Sequence, residues 1–113
     1  MVVASREFYM DSLIYEDEEG IVWAIVSSNQ EAQEANPPQK GAIMGNQPYG
    51  GWVIVPNKND PSKSHAYLLA EIDFKGYFPE PAIKMAFKDL GYVVAKTRKI
   101  VPKFQQKFSY LYE

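Results

Sequence analysis

The chain has 113 residues, 46% hydrophobic and 14% aromatic, with a formal net charge of -2 and no cysteine. This fits one small globular domain that buries roughly 65% of the surface its unfolded form exposes. It excludes disulfides, thiolate chemistry and cysteine-ligated zinc. No apolar run reaches the roughly 18 residues of a membrane span, and Met1-Val2-Val3-Ala4-Ser5-Arg6 lacks the apolar stretch of a signal peptide. The expected location is the cytoplasm, with peripheral membrane contact left open.

Charge is segregated along the chain. Up to Glu34 there are eight acids and one base, Arg6; from Lys84 to Lys107 there are seven bases and one acid, Asp89. Either this steers one end of the molecule toward a charged partner, or it marks two solvated faces that balance each other.

Phe8–Tyr15 and Ile21–Val26 are rich in strand formers and flank the charged turn Glu16-Asp17-Glu18-Glu19-Gly20, which predicts a β-hairpin. The four acids lack the alternating spacing of a calcium loop, and no metal is expected there. Residues 29–41, with Pro37-Pro38 inside, read as a long polar loop. Ala42–Met44 is a short strand, and Trp52–Val55 an apolar one stopped by Pro56. Asn57–Lys63 has turn chemistry, and Ser64–Phe74 is the longest predicted strand. Ala66, Leu68, Ala70, Ile72 and Phe74 fall on one face, read as buried; His65, Tyr67, Leu69, Glu71 and Asp73 fall on the other.

From Pro79 the period changes. Ile83, Phe87, Leu90, Val94 and Val101 recur at three- and four-residue steps, with Ala86 and Thr97 between. The spacing predicts an amphipathic helix over 79–101, opened by Pro79 and Pro81 and ended by Pro102. Gly91 within it predicts a kink or a close approach. Residues 102–113 form a tail. The expected fold is α+β: a curved antiparallel β-sheet of about five strands with a long C-terminal helix packed across it.

"PPQKGAIMGNQPYGGWVIVP" followed by "DPSKSHAYLLAEIDFKGYFPEPAIK" resembles the C-terminal half of a START domain, the lipid-transfer module. The most specific piece, Asp73-Phe74-Lys75-Gly76-Tyr77-Phe78-Pro79, resembles the family's Asp-x-Lys-Gly-aromatic-x-Pro junction between last strand and last helix. Ser5-Arg6-Glu7-Phe8 resembles the Arg-Asp-Phe that opens an earlier strand, and Ala95–Lys99 the end of the final helix. The likeness covers nearly all of residues 4–100.

The resemblance implies a helix-grip fold in which lipid lies between sheet and C-terminal helix, with that helix and the loop at Ala35–Gly41 as a lid. It also implies a partial domain of 113 residues, because START domains are roughly 200 residues long and the family's N-terminal helix and first strands have no counterpart here. Where sterol-binding relatives carry a cavity arginine, this chain has Ser12; a second family arginine is replaced by Met44. Sterol specificity is therefore not implied. Sterol, phospholipid and fatty acyl cargo all remain open.

Candidate lipid-lining residues are Leu68, Ala70, Ile72 and Phe74 on the strand, Ile83, Phe87, Leu90 and Val94 on the helix, and Ser12. A plain packed core is the alternative. Candidate lid or membrane contacts are Pro37, Pro38, Tyr77, Phe78, Lys96, Arg98 and Lys99; Tyr77 and Phe78 could instead staple the strand–helix corner. Phe104 and Phe108, one helical turn apart beside Lys103 and Lys107, suit either an anionic membrane or a protein partner.

His65 stands alone, and Ser64 points to the opposite face, so no nucleophile–base pair forms. No phosphate loop, dinucleotide fingerprint or G-x-S-x-G occurs. The expectation is a non-enzymatic lipid binder with no cofactor and no nucleic-acid partner. A cavity-free interaction module is the alternative. With open strand edges and a partly covered apolar sheet, the chain is also expected to self-associate, edge to edge or by helix exchange.

Overall fold

A computed structural model describes residues 3–107 and 109–111. Phe108 and the last two residues lie outside the described residues, so the expected Phe104–Phe108 pair is represented by Phe104 alone. The chain divides into two compact units, residues 1–78 and 79–113. The division falls where the apolar period changes from two to about three and a half.

The first unit is built on a four-stranded antiparallel sheet. Its strands are β2 (Met10–Glu16), β3 (Val22–Ser28), β5 (Asn46–Pro56) and β6 (Ser64–Asp73), in the order β2-β3-β5-β6. β1 (Ser5–Glu7) and β4 (Ala42–Met44) form a separate two-stranded parallel ladder. The α+β class with a curved antiparallel sheet and a long C-terminal helix is as expected. Ala42–Met44, however, pairs with β1 rather than entering the main sheet.

Turn chemistry fixes the connections. Asp17 Oδ1 accepts the N–H groups of Glu19 and Ile21 at 2.9 Å each, and its Oδ2 accepts Trp23 Nε1–H at 2.9 Å. Gly20 closes this turn at φ 78°, a conformation that costs other residues steric strain. The acids of the hairpin are thus a folded turn around Asp17. Asn57 and Asp60 organise the β5–β6 turn in the same way, accepting the N–H groups of Asn59 and Ser62.

The segment 29–41 is not a continuous loop. Helix α1 (Gln30–Ala35) occupies half of it, capped by Asn29, whose side chain accepts the Ala32 N–H at 2.9 Å. Gln-Glu-Ala-Gln-Glu-Ala has strong helix propensity but no apolar stripe, so periodicity could not reveal it. Pro37 and Pro38 follow its end and are exposed.

β5 is also longer than predicted, 11 residues against 10 for β6. It runs through Pro48 because the β5–β6 register shifts between Asn46 and Tyr49, and an irregular ladder tolerates a missing N–H. At Gly51, φ is 138° and an added Cβ would collide with the Ala24 carbonyl oxygen. β3 can approach closely only because that position is glycine.

The second unit holds α2 (Glu80–Lys107), 28 residues and about 42 Å long. It continues past Pro102, where an end was predicted. Proline removes its own N–H from the ladder and strains the preceding turn, but Lys103-Phe104-Gln105-Gln106-Lys107 are helix-competent residues that resume it. Ala82, Ile83, Ala86, Leu90, Val93, Val94 and Thr97 are half-buried and form one stripe; Phe87 and Val101 are exposed. Gly91 makes no close approach, since a Cβ there would meet nothing within 4 Å.

Candidate functional site

Cross-strand register assigns each sheet residue to a face, because directly opposed residues point the same way. One row runs Ile14–Ala24–Trp52–Leu68, and the next runs Glu16–Val22–Ile54–Ala66. Ser12, Val26 and Ala70 lie two residues along on this first face, and Ile72 follows Ala70. The predicted strand-side lining therefore shares one apolar face that crosses all four strands. Ser12 belongs to it, but on β2, at the opposite sheet edge from β6. Leu68, Ile72 and Phe74 are half-buried; Ala70 and Ser12 are exposed. Among the described residues no apolar side chain is buried.

The second face is apolar too, which the sequence reading did not anticipate. Its rows run Tyr15–Trp23–Val53–Tyr67 and Leu13–Ile25–Gly51–Leu69. Tyr15 stacks on Trp23 with ring centroids 6.3 Å apart. Gly51 leaves a side-chain-sized gap between Ile25 and Leu69, and an open depression of about 230 Å³ lies there, lined also by Trp23, Tyr49 and Val53. Ligand sites are commonly ~300–1,000 Å³, so this hollow alone is too small for a whole lipid. The missed signal was doubly apolar strand sequence, Trp23-Ala24-Ile25-Val26, Trp52-Val53-Ile54-Val55 and Leu68-Leu69, where a half-wet sheet alternates.

At the end of β6 the chain turns through two consecutive left-handed residues, Lys75 (φ 54°) and Gly76 (φ 58°). Asp73 Oδ1 accepts the Lys75 N–H at 2.9 Å, and Asp73 Oδ2 lies 3.0 Å from Lys75 Nζ. These two interactions, the N–H bond first, hold the Asp73 carboxyl below its usual range. Arg6 grips the turn from β1. Its Nε donates to Phe74 O at 2.8 Å, and its Nη2 donates to Lys75 O at 2.7 Å and Tyr77 O at 2.8 Å. Nη1 donates to Ala4 O. The guanidinium carbon lies 4.8 Å over the Phe78 ring, which stacks on Phe74 at 4.2 Å. Phe78 is therefore packed into the corner, whereas Tyr77 is 69% exposed.

This arrangement is mechanical rather than chemical. The turn gathers the carbonyls of Phe74, Lys75 and Tyr77 in a small space, and one planar guanidinium satisfies all three. Beside it lies a groove of about 470 Å³ with mixed walls, polar at Ser28, Gln33, Glu34 and Lys75 and apolar at Met44 and Pro48. A family model for the START domain matches residues 1–107. The chain belongs to the START domain family. No curated protein and no solved structure matches it significantly. START domains typically bind lipids.

The remaining expected residues of the START chain are placed individually. Ile83, Leu90 and Val94 lie on the half-buried stripe of α2, and Phe87 is 46% exposed. Lys96, Arg98 and Lys99 are exposed on the same helix. His65 is exposed on β6, and no group of three or more metal-ligating residues occurs among the described residues. No described helix is long and apolar enough to cross a membrane.

Proposed function

We propose that this START chain binds a lipid and carries it between membranes without performing chemistry on it. The cargo rests on the first sheet face, across Leu68, Ala70 and Ile72 with Trp52 and Ala24 beside them. Ile83, Leu90 and Val94, on the apolar stripe of α2, are the helix's own candidate lipid contacts. Phe74 ends the lining at the Arg6-held corner. One observation carries this reading: an apolar face spans four strands while no apolar side chain of the described residues is buried. Such a surface is larger than isolated proteins usually leave wet, and an acyl chain or a sterol skeleton is chemically matched to it.

Lid opening sets the transfer rate in this reading. Pro37, Pro38 and Tyr77 contact the membrane, and Lys96, Arg98 and Lys99 draw α2 to anionic headgroups, each worth about 1 kcal/mol near the surface. Self-association covers apolar surface and sheet edge that cargo leaves exposed. The cavity-free interaction module is the second reading, favoured by the small volume of the second-face depression.

The two tryptophans separate the faces, because Trp52 lies on the first and Trp23 on the second. Phospholipid with a brominated acyl chain should quench Trp52 fluorescence in the Trp23→Phe variant and leave Trp23 bright in Trp52→Phe. Quenching of Trp23 alone, or of neither, rejects the first-face site.

A further inference from the structure

The outer edge of β6 is self-complementary. β6 ends the sheet, with β5 on one side and, among the described residues, no strand on the other. Eight of its ten residues are exposed. No proline or lysine, two of the devices that block edge pairing, interrupts Ser64–Asp73. We propose that a second copy of this chain pairs antiparallel along this edge, with Leu68 opposite the Leu68 of its twin, joining two four-stranded sheets into one of eight strands. The inference locates the self-association and does not depend on lipid binding.

Charge selects the register. A two-fold axis normal to the sheet keeps each residue on its own face, so only registers that oppose residues of like parity are allowed. With Leu68 on the axis, His65 faces Glu71 and Lys63 faces Asp73, each pair occurring twice by symmetry. Moving the axis to Leu69 keeps His65 against Asp73 but sets Lys63 against Lys75, and moving it to Tyr67 keeps Lys63 against Glu71 but sets His65 against Leu69 and Asp73 against Pro61. The Leu68 register alone of these three places both basic groups against acids. The ladder reaches Lys63 because its carbonyl already accepts the Asn57 N–H at 3.0 Å.

The other open edge, β2, is the weaker candidate. It has seven residues, and antiparallel pairing about Leu13 opposes Asp11 to Tyr15 and Met10 to Glu16, which gains no ion pair.

The test uses the full chain, which has no native cysteine. Leu68→Cys should form an intermolecular disulfide under mild oxidation, since opposed Cα atoms in an antiparallel pair lie about 4.5–5.5 Å apart, within disulfide reach. Leu13→Cys should remain uncrosslinked. By sedimentation, His65→Glu should raise the dimer dissociation constant about tenfold, and the exchange His65→Glu with Glu71→His should restore it. A monomer at high micromolar concentration, a dimer crosslinked through Leu13, or a double exchange no better than the single change would each overturn the proposal. The exchange experiment decides the matter if Leu68→Cys fails to fold.

Discussion

The Arg6 guanidinium lies 4.8 Å above the Phe78 ring, so the first short strand holds the last residue before the helical unit. Three carbonyls of the intervening turn bond to the same side chain. The left-handed conformation is costly at Lys75, a non-glycine residue, and the clamp offsets that cost. A single base among eight acids in the first 34 residues is placed where it closes the sheet's far end.

Removing the clamp should loosen this corner first. Arg6→Ala should lower unfolding free energy by about 2 kcal/mol, the scale of charge-assisted bonds in a partly wet site. Arg6→Lys should recover only part of this, because an ammonium keeps the ring contact but loses the planar fork. Denaturant melts give the energies, and hydrogen exchange should accelerate at Lys75–Tyr77 before it does in β3.

Two glycines should respond with opposite signs. Gly91→Ala in α2 meets open space, and should stabilise the helix by up to about 1 kcal/mol. Gly51→Ala would drive a methyl into the Ala24 carbonyl at φ 138°, and should cost at least ~1–3 kcal/mol as β3 and β5 separate. Helical circular dichroism during thermal melting distinguishes the two.

Acid should weaken the first unit through its turns. Asp17, chiefly through the Trp23 hydrogen bond, and Asp60, chiefly through the Ser62 hydroxyl, are held below the usual carboxylate range, as is Asp73 through Lys75. A depressed folded value means the ionised form is favoured in the fold. The stabilisation is thus complete above the unfolded value near 4 and is lost as pH falls through the lower folded values. Tryptophan fluorescence in an acid titration should report this loss, with a smaller acid-linked change in Asp17→Asn.

The fold class was legible because period-two strands give way to a helical stripe at Pro79, and because Asp73–Pro79 is a distinctive junction. The first face was legible in the alternation of Ala66, Leu68, Ala70 and Ile72. Three things were not. Helix α1 carries no apolar stripe, so only its Asn29 cap and its propensity could have marked it. The parallel pairing of Ser5–Glu7 with Ala42–Met44 joins segments 37 residues apart in register, a long-range contact that local pattern does not encode. Arg6 looked like an isolated charge, because its partners are backbone carbonyls, which no side-chain pattern reveals.

Native mass spectrometry of the chain purified from cells under gentle conditions tests the central claim most directly: an oily cargo occupies the apolar face. The carrier account predicts one lipid mass per protein chain, lost when Leu68 and Ile72 are both replaced by glutamate in a variant that keeps its strand and helix content. Protein that emerges lipid-free, and stays so after incubation with mixed phospholipid and fatty acid vesicles, would contradict it.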